Sequence, residues 1–471
     1  MKVLFAVWEL DPFIKVGGLG DVARSLPKAL GDAGVDIRVI IPFYKALKFG
    51  YSKKKSIEKF KVKYAGIVQN VELYQTTHPS IKKPVYLLLN RKYLDVPKFP
   101  DTYAFFNLAI VTMFKEKVFD WQPDIIHCND LHTCLIPLLV KEHNLPIKTM
   151  LTIHNLAYQG KTSLDILDKI GLTKDKCQVV QWEIQSRQIN FLLEGIVHSD
   201  IVTTVSPEYA KEILTEKYGE GLEDIIRGKE GRVFGVLNGI DDYWRTKLHL
   251  RHVKFPYTDR SENSWEKSKS QNKAFLQKKL GLTVDSSIPL FAFIGRMDPA
   301  QKGIDVLHKM LRNIDIEKYE FVILGRGNVD WEERFLWLDT FYSKNIDCKF
   351  VFDETLANQI YAAADFIVVP SKFEPCGLIQ MIAMSYGTIP IAHKTGGLVD
   401  SIKPGFNGFL FEEYDAKALE IAVLKAADIW KNQKEKYKEM VKNALSTDFS
   451  WTKSAKEYIR LYEKLLSESA L

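Results

Sequence analysis

Cysteine is scarce in this chain: five in 471 residues, at Cys128, Cys134, Cys177, Cys348 and Cys376. They are scattered and no two form a CxxC pair. That excludes a disulfide framework and a structural zinc site, and makes reduced thiols in the cytoplasm the expectation. No apolar run approaches the length that spans a bilayer. The first apolar stretch, Lys2 to Val7, is short and runs into Glu9 and Asp11. It reads as a buried first strand, not a signal peptide, with no plastid-type extension before it. A strong excess of one charge is missing too: 65 Lys and Arg stand against 59 Asp and Glu, for a net charge of +6. The densest basic run, Lys53-Lys54-Lys55, reads as a solvated loop, so neither nucleic acid nor membrane is an expected partner. His127, His132 and His154 lack HxxxH or HExxH pairing, so no metal site is expected. A GxSxG elbow and a GxGxxG fingerprint are also missing.

What is present is an ordinary globular composition, 46% hydrophobic and 26% charged, on a chain long enough for two or three domains. Short apolar runs alternate with amphipathic stretches, the pattern of parallel α/β layers. Strands are expected at 2–8, 35–41, 85–89, 124–128, 148–153, 200–205 and 233–237, and helices at 20–33, 103–119, 185–197 and 207–218. A polar, Lys- and Ser-rich connection from about 243 to 287 carries the turn-like Ser261-Glu262-Asn263-Ser264 and a helix near 266–280. A second series of strands follows at 289–294, 319–324, 348–351, 366–369, 389–392 and 409–411. Two similar halves predict an α/β fold of two facing Rossmann-like domains, 1–245 and 246–450, with a ligand cleft between them. A C-terminal helix is expected within 451–471, where Trp451, Tyr458, Leu461, Tyr462 and Leu465 recur at helical spacing.

Three loops carry candidate chemistry. Lys15-Val16-Gly17-Gly18-Leu19-Gly20-Asp21-Val22 follows the first strand and opens a helix. Its glycines permit close backbone approach and positive φ, and the helix N-terminus with Lys15 suits a diphosphate. Alone, the loop is equally a tight strand-to-helix turn. Gly295-Arg296-Met297-Asp298-Pro299-Ala300-Gln301-Lys302-Gly303 ends another strand and puts two cations on one loop. Arg chelates phosphate oxygens through a planar fork, while Lys acts as a mobile point charge. Alone, this pair also reads as two surface cations. Phe373-Glu374-Pro375-Cys376-Gly377-Leu378 places a carboxylate on a turn before a helix. Cys376 reads as a small packed residue there, and Thr395-Gly396-Gly397-Leu398 makes a further glycine turn.

As an ordered set, these motifs resemble those of bacterial glycogen synthases and plant starch synthases. Thr152-Ile153-His154-Asn155-Leu156-Ala157-Tyr158-Gln159-Gly160, Thr204-Val205-Ser206-Pro207, Tyr218-Gly219-Glu220-Gly221-Leu222 and Leu237-Asn238-Gly239-Ile240-Asp241 join the three loops, in the family's order, to about residue 450. The resemblance implies a two-domain GT-B retaining glycosyltransferase whose C-terminal helix crosses back onto the first domain. It implies transfer of glucose from ADP-glucose, with UDP-glucose the other donor left open, to the non-reducing end of an α-1,4-glucan, and no cofactor. It implies Lys15, Gly17 and Gly18 at the nucleotide diphosphate, Arg296 and Lys302 on it from the second domain, and Glu374 at the reacting sugar, beside Cys376, Gly377 and Leu378. Glu9, Asp21, Asp130, His154, Asn155 and Asn238 would line the sugar and acceptor side. Two departures stand out. Arg296 and Lys302 are one residue further apart than in typical enterobacterial-type members, as in archaeal-type ones. Ile382 occupies the place of a second Glu found in eukaryotic-type glycogen synthases. A PLP-dependent phosphorylase would need a cofactor lysine that no motif supplies. The remaining alternatives are a related retaining transferase with another sugar or acceptor, and a non-catalytic nucleotide-sugar or glucan binder.

Overall fold

The computed structural model describes residues 1–48, 54–173, 187–241, 244, 250–257 and 264–468. Lys53, Cys177, positions 185–186 and Ser261-Glu262-Asn263 lie outside them. The chain divides into one unit of Met1–Asn238 with Trp451–Leu471 and another of Gly239–Ser450.

The first unit is built on β1 (Lys2–Ala6), β2 (Asp36–Pro42), β3 (Lys54–Tyr64), β4 (Ile67–Thr76), β5 (Val85–Leu89), β6 (Ile125–Asn129), β7 (Lys148–Ile153), β8 (Lys161–Ser163), β9 (Gln188–Asn190), β10 (Ile201–Thr204) and β11 (Val233–Gly235). Nine of them form one sheet in the order β11-β10-β7-β6-β1-β2-β5-β4-β3, and β8 pairs with β9 apart from it. The central strands are continuous apolar runs such as Val3-Leu4-Phe5-Ala6, buried on both faces as parallel strands under helices must be. β3 and β4, which the expected strands did not include, run antiparallel at the edge of the otherwise parallel sheet. Lys54 and Lys55 therefore begin an edge strand instead of sitting in a loop, although both stay exposed. Lysines on an edge strand discourage pairing with another chain, while Val62, Tyr64, Val71 and Leu73 turn inward.

The helix Trp451–Ser467 belongs to this unit because its apolar stripe completes the unit's core. Tyr458, Tyr462 and Leu465 are buried with Val3, Phe5 and Leu26 in that cluster. The Tyr462 hydroxyl lies 2.7 Å from His127 Nδ1, and His127 Nε2 lies 2.6 Å from Thr152 Oγ1. Both ring nitrogens of His127 are thus occupied, and burial pushes the imidazole down to about 3. It is a neutral core histidine.

The second unit holds β12 (Leu290–Ile294), β13 (Glu320–Leu324), β14 (Ile346–Lys349), β15 (Phe366–Val369), β16 (Ile389–His393) and β17 (Phe409–Phe411). Every pair is parallel, and the order β14-β13-β12-β15-β16-β17 is that of a doubly wound dinucleotide-type sheet. Such sheets bind ligands where the strand order reverses, outside the strand C-termini. Here that point falls between β12 and β15, and in the first unit between β1 and β6.

At the opposite end of β13, Glu320 is buried and accepts from Gln277 Nε2 at 2.8 Å, leaving Oε1 without a partner among the described residues. Burial raises its carboxyl to about 7. The folded state therefore holds this proton more tightly than the unfolded chain does. The associated stability is complete below about pH 4.5 and is lost as pH rises through about 7, a change on the order of 3 kcal/mol. Glu320→Gln is expected to flatten that decline. Urea melts at pH 5 and pH 7.5 test it, and equal slopes in variant and parent would refute the assignment.

Candidate active site

The loop after β1 is organised by Glu9. Its buried carboxylate accepts from the backbone N–H of Val16 at 2.5 Å and of Gly17 at 3.1 Å. Burial nevertheless raises its pKa, against the lowering effect of those bonds. The helix Gly18–Asp32 starts directly afterwards, with Gly17 in extended backbone. None of Gly17, Gly18 and Gly20 adopts positive φ, so that part of the sequence argument fails. What they provide is room: a Cβ on Gly18 would meet nothing within 4 Å, and on Gly17 only Glu9 Oε1 at 3.8 Å. Gly20 is tight, with Glu9 and Lys15 side-chain atoms both at 3.3 Å. Lys15 Nζ reaches Asp21 Oδ1 at 2.7 Å. Burial raises the Asp21 carboxyl despite Lys15 and Arg24 beside it.

Asp130 follows β6 at φ 53° and ψ −176°, a region essentially reserved for glycine and costing about 1–3 kcal/mol elsewhere. The surroundings over-determine it. Its N–H donates to Thr152 O at 3.0 Å and its Oδ1 accepts from His154 N at 2.7 Å. Burial raises this carboxyl to about 7, with the Glu9 charge adding to the rise. His154 Nε2 lies 2.9 Å from Asn129 Oδ1, and burial brings its ring to about 3, so it acts as a neutral hydrogen-bonding group. Asn155 Oδ1 accepts from Ala157 N at 3.1 Å, which shapes the same turn. Asn238 is not tied to this cluster. Its N–H donates to Val205 O at 3.2 Å, and its buried Oδ1 has no partner among the described residues.

In the second unit the loops after β12 and β15 are joined side to side. Lys302 Nζ reaches Glu374 Oε2 at 2.6 Å, and both side chains are largely buried, at 16% and 10% exposure. Ser371 Oγ donates to the same oxygen at 2.9 Å. Lys372 N donates to Gln301 O at 2.8 Å, and His393 Nδ1 lies 2.8 Å from Ser371 O. Gly303, at φ 66°, leads into the helix Ile304–Asn313. That helix N-terminus offers N–H groups suited to a phosphate beside Lys302, whose charge Glu374 balances here. Gly397 N donates to Glu374 O at 3.1 Å, and a Cβ there would lie 2.2 Å from Cys376 O. Gly377 takes φ 72° beside the buried Gln380, whose Nε2 binds Cys376 O at 3.1 Å and Gly377 O at 2.8 Å. Cys376 is buried and not disulfide-bonded, as a packed thiol. Leu378 caps the helix Ile379–Ser385. Arg296 differs from Lys302: its side chain is 57% exposed and lies 2.8 Å from Gln301 Oε1 and 3.5 Å from Asp298 Oδ2.

Several residues of these sites carry no motif signal. Trp8 stacks on His132 with centroids 4.6 Å apart, and Tyr103 meets that ring edge-on. Burial pushes His132 down to about 3, and its Nδ1 has no hydrogen-bond partner among the described residues. Tyr44 is buried near Glu9, its hydroxyl pushed far up by burial and its oxygen likewise without a hydrogen-bond partner among them. His78 Nε2 lies 2.7 Å from Asp11 O and holds the loop after β1 from behind. A lone His or Tyr in an apolar context is usually core, so only the fold identifies these.

The family description "Starch synthase catalytic domain" matches residues 2–228, and "Glycosyl transferases group 1" matches residues 277–447. The glycogen synthase of Thermosipho melanesiensis is 40% identical, covering 99% of this chain and 100% of that protein. That of Desulfitobacterium hafniense is 39% identical, covering 100% of both. Among solved structures, the catalytic domain of starch synthase IV from Arabidopsis thaliana, bound to ADP and acarbose, superposes with a TM-score of 0.87 at 30% identity, covering 99% of each chain. Sucrose-phosphate synthase of Thermosynechococcus elongatus, with a TM-score of 0.62 at 19% identity, shares the fold.

Proposed function

The chain belongs to the family of glycogen and starch synthases, and from that premise we propose that it elongates α-1,4-glucan with glucose taken from ADP-glucose. It is a retaining glucosyltransferase acting on a glucan. The choice of adenine over uracil is supported by the starch synthase IV relative, which holds ADP. The four described cysteines are buried and form no disulfide, which suits the reducing cytoplasm as the place of reaction.

The observation that carries the mechanism is the Lys302–Glu374 pair at the switch point of the second sheet. As the bond from glucose C1 to the diphosphate breaks, negative charge grows on the β-phosphate and positive charge on the sugar ring. Fixed cations and N–H dipoles at the diphosphate lower that barrier. In this reading Lys302 and Arg296 supply the cations at the leaving diphosphate. The acceptor hydroxyl attacks C1 on the face the diphosphate leaves, and a departing phosphate oxygen takes its proton. Glu374 orients the sugar and offsets the developing cation without forming an ester, its oxygen being held by Lys302 and Ser371. Asp130, His154 and Asn155 bind sugar hydroxyls as neutral or shared hydrogen-bonding groups.

The test supplies glycogen and labelled ADP-glucose or UDP-glucose without added metal, following glucan label and nucleoside diphosphate together. Equal incorporation and release, faster with ADP-glucose, is the expected result. A preference for UDP-glucose would overturn the donor assignment. Release without incorporation would overturn the acceptor. A glucosyl ester trapped on Glu374 would refute same-face attack.

A further inference from the structure

A cavity of about 550 Å³ lies at the N-terminal ends of β12 and β15, the opposite end of the second sheet from Arg296, Lys302 and Glu374. Five lysines line it, Lys269, Lys273, Lys431, Lys434 and Lys438, against two carboxylates, Glu266 and Asp365. Both carboxylates are engaged. Asp365 accepts from Lys273 Nζ at 2.6 Å and from the backbone N–H of Leu290 at 2.8 Å. Glu266 pairs with Lys438 at 3.2 Å. Lys269 is buried in the floor, its Nζ 2.7 Å from Thr388 Oγ1, and burial pulls it down to about 7. Lys431 and Lys434 stand exposed at the mouth, and neither has a carboxylate partner among the described residues. They flank the break between the helices Ala416–Asn432 and Lys434–Ser446. The second helix starts at the cavity without a side-chain cap, so its first N–H groups add positive potential. The indole of Trp430 forms one wall, with Lys273 Nζ 4.7 Å from its ring centre.

A solvated surface would scatter its cations. Here an excess of them surrounds an aromatic wall in a cavity of the size that holds a small metabolite. We propose that this cavity binds a small phosphate monoester, with its phosphate on Lys431 and Lys434 and its sugar or base against Trp430. The site is separate from the donor site, because the two lie at opposite ends of the same strands. It is also connected to it. Asp365 ties the cavity floor to Leu290, the first residue of β12, while β12 and β15 end at the loops carrying Arg296 and Glu374.

The test is calorimetric titration of the full chain at fixed ionic strength with a hexose phosphate and, separately, adenosine monophosphate. The chain carries Arg296→Ala, Lys302→Ala and Glu374→Gln, so that the donor site does not compete and no buried carboxylate is left unpaired. Saturable binding of one ligand per chain is expected, and the tighter ligand identifies the group on Trp430. Adding Lys431→Glu and Lys434→Glu, both exposed and so tolerated by the fold, should weaken it at least about tenfold. No saturation at millimolar ligand, or binding that survives both charge reversals, would overturn the proposal.

Discussion

Lys302→Ala is expected to lower kcat at saturating donor by about 10²–10³-fold, the usual effect of removing one fixed charge from a developing anion. The geometry predicts a second effect that must be separated from the first. Lys302 is the buried partner of Glu374, so the variant strands a carboxylate at 10% exposure. Breaking a buried pair from one side costs about 3–5 kcal/mol, enough to threaten folding. Ser371 Oγ still donates to Glu374 Oε2, which places the cost toward the lower end of that range. The double variant Lys302→Ala with Glu374→Gln removes the stranded charge. Its stability should recover while its turnover stays low. Arg296→Ala is the contrasting case: it is exposed, so stability should stay within about 0.5 kcal/mol. Turnover should still fall about 10²–10³-fold if its guanidinium swings from Gln301 onto the diphosphate. Near-normal kcat in either single variant would remove that residue from charge stabilisation.

Where local pattern and tertiary demand agree, the elements could be read from the chain directly. β5 and β7 fall at 85–89 and 148–153 as expected, because a continuous apolar run buried on both faces has sharp polar ends. β14 lies at 346–349 and not at 348–351. Its buried Ile346 and Asp347 precede the run Phe350-Val351-Phe352, which is left outside the sheet, with Phe352 95% exposed. β3 and β4 escaped notice because an edge hairpin is half-buried and its outer face is charged, which looks like loop. The expected helix at 185–197 begins instead at Phe191. Asn190 ends β9 and caps the helix by accepting from Leu193 N at 3.1 Å, a boundary set by side-chain chemistry and not by periodicity.

The site was legible in a different way. Glycine and charge mark the loops after β1, β12 and β15 as candidates, although each alone fits a plain turn or surface cations and only their ordered set pointed to a site. The role of each residue was not legible. Glu9 spends its carboxylate on the N–H groups of Val16 and Gly17, which a sequence reading would have left free for a phosphate. Asp130 is held in a conformation that no side-chain pattern reports, by contacts with Thr152 and His154 more than twenty residues away. Long-range pairing of this kind is what links β6 to β7, and only the sheet order brings it into view.

Gly303→Ala should be the most damaging single-methyl change in the second unit. A Cβ on Gly303 would lie 1.9 Å from Pro370 O, a backbone atom that cannot rotate away, and φ there is 66°. Overpacking costs about 1–3 kcal/mol and the left-handed backbone about 1–2, giving a loss of about 2–5 kcal/mol. Gly281→Ala separates the two contributions. Its φ is 78°, but nothing lies within 4 Å of the added atom, so only the backbone share should appear. The catalytic consequence follows from which parts collide. Gly303 closes the loop bearing Arg296 and Lys302, and Pro370 opens the loop bearing Glu374, so relieving the clash separates the two. A displacement of about 1 Å between reacting groups costs on the order of 10²-fold in rate. Gly303→Ala should therefore lose turnover at temperatures where it is still folded, while Gly281→Ala keeps it. Denaturant melts and assays on both variants decide the matter. Equal activity and equal stability in the pair would mean that the two loops yield to one another, and that their spacing does not set the rate.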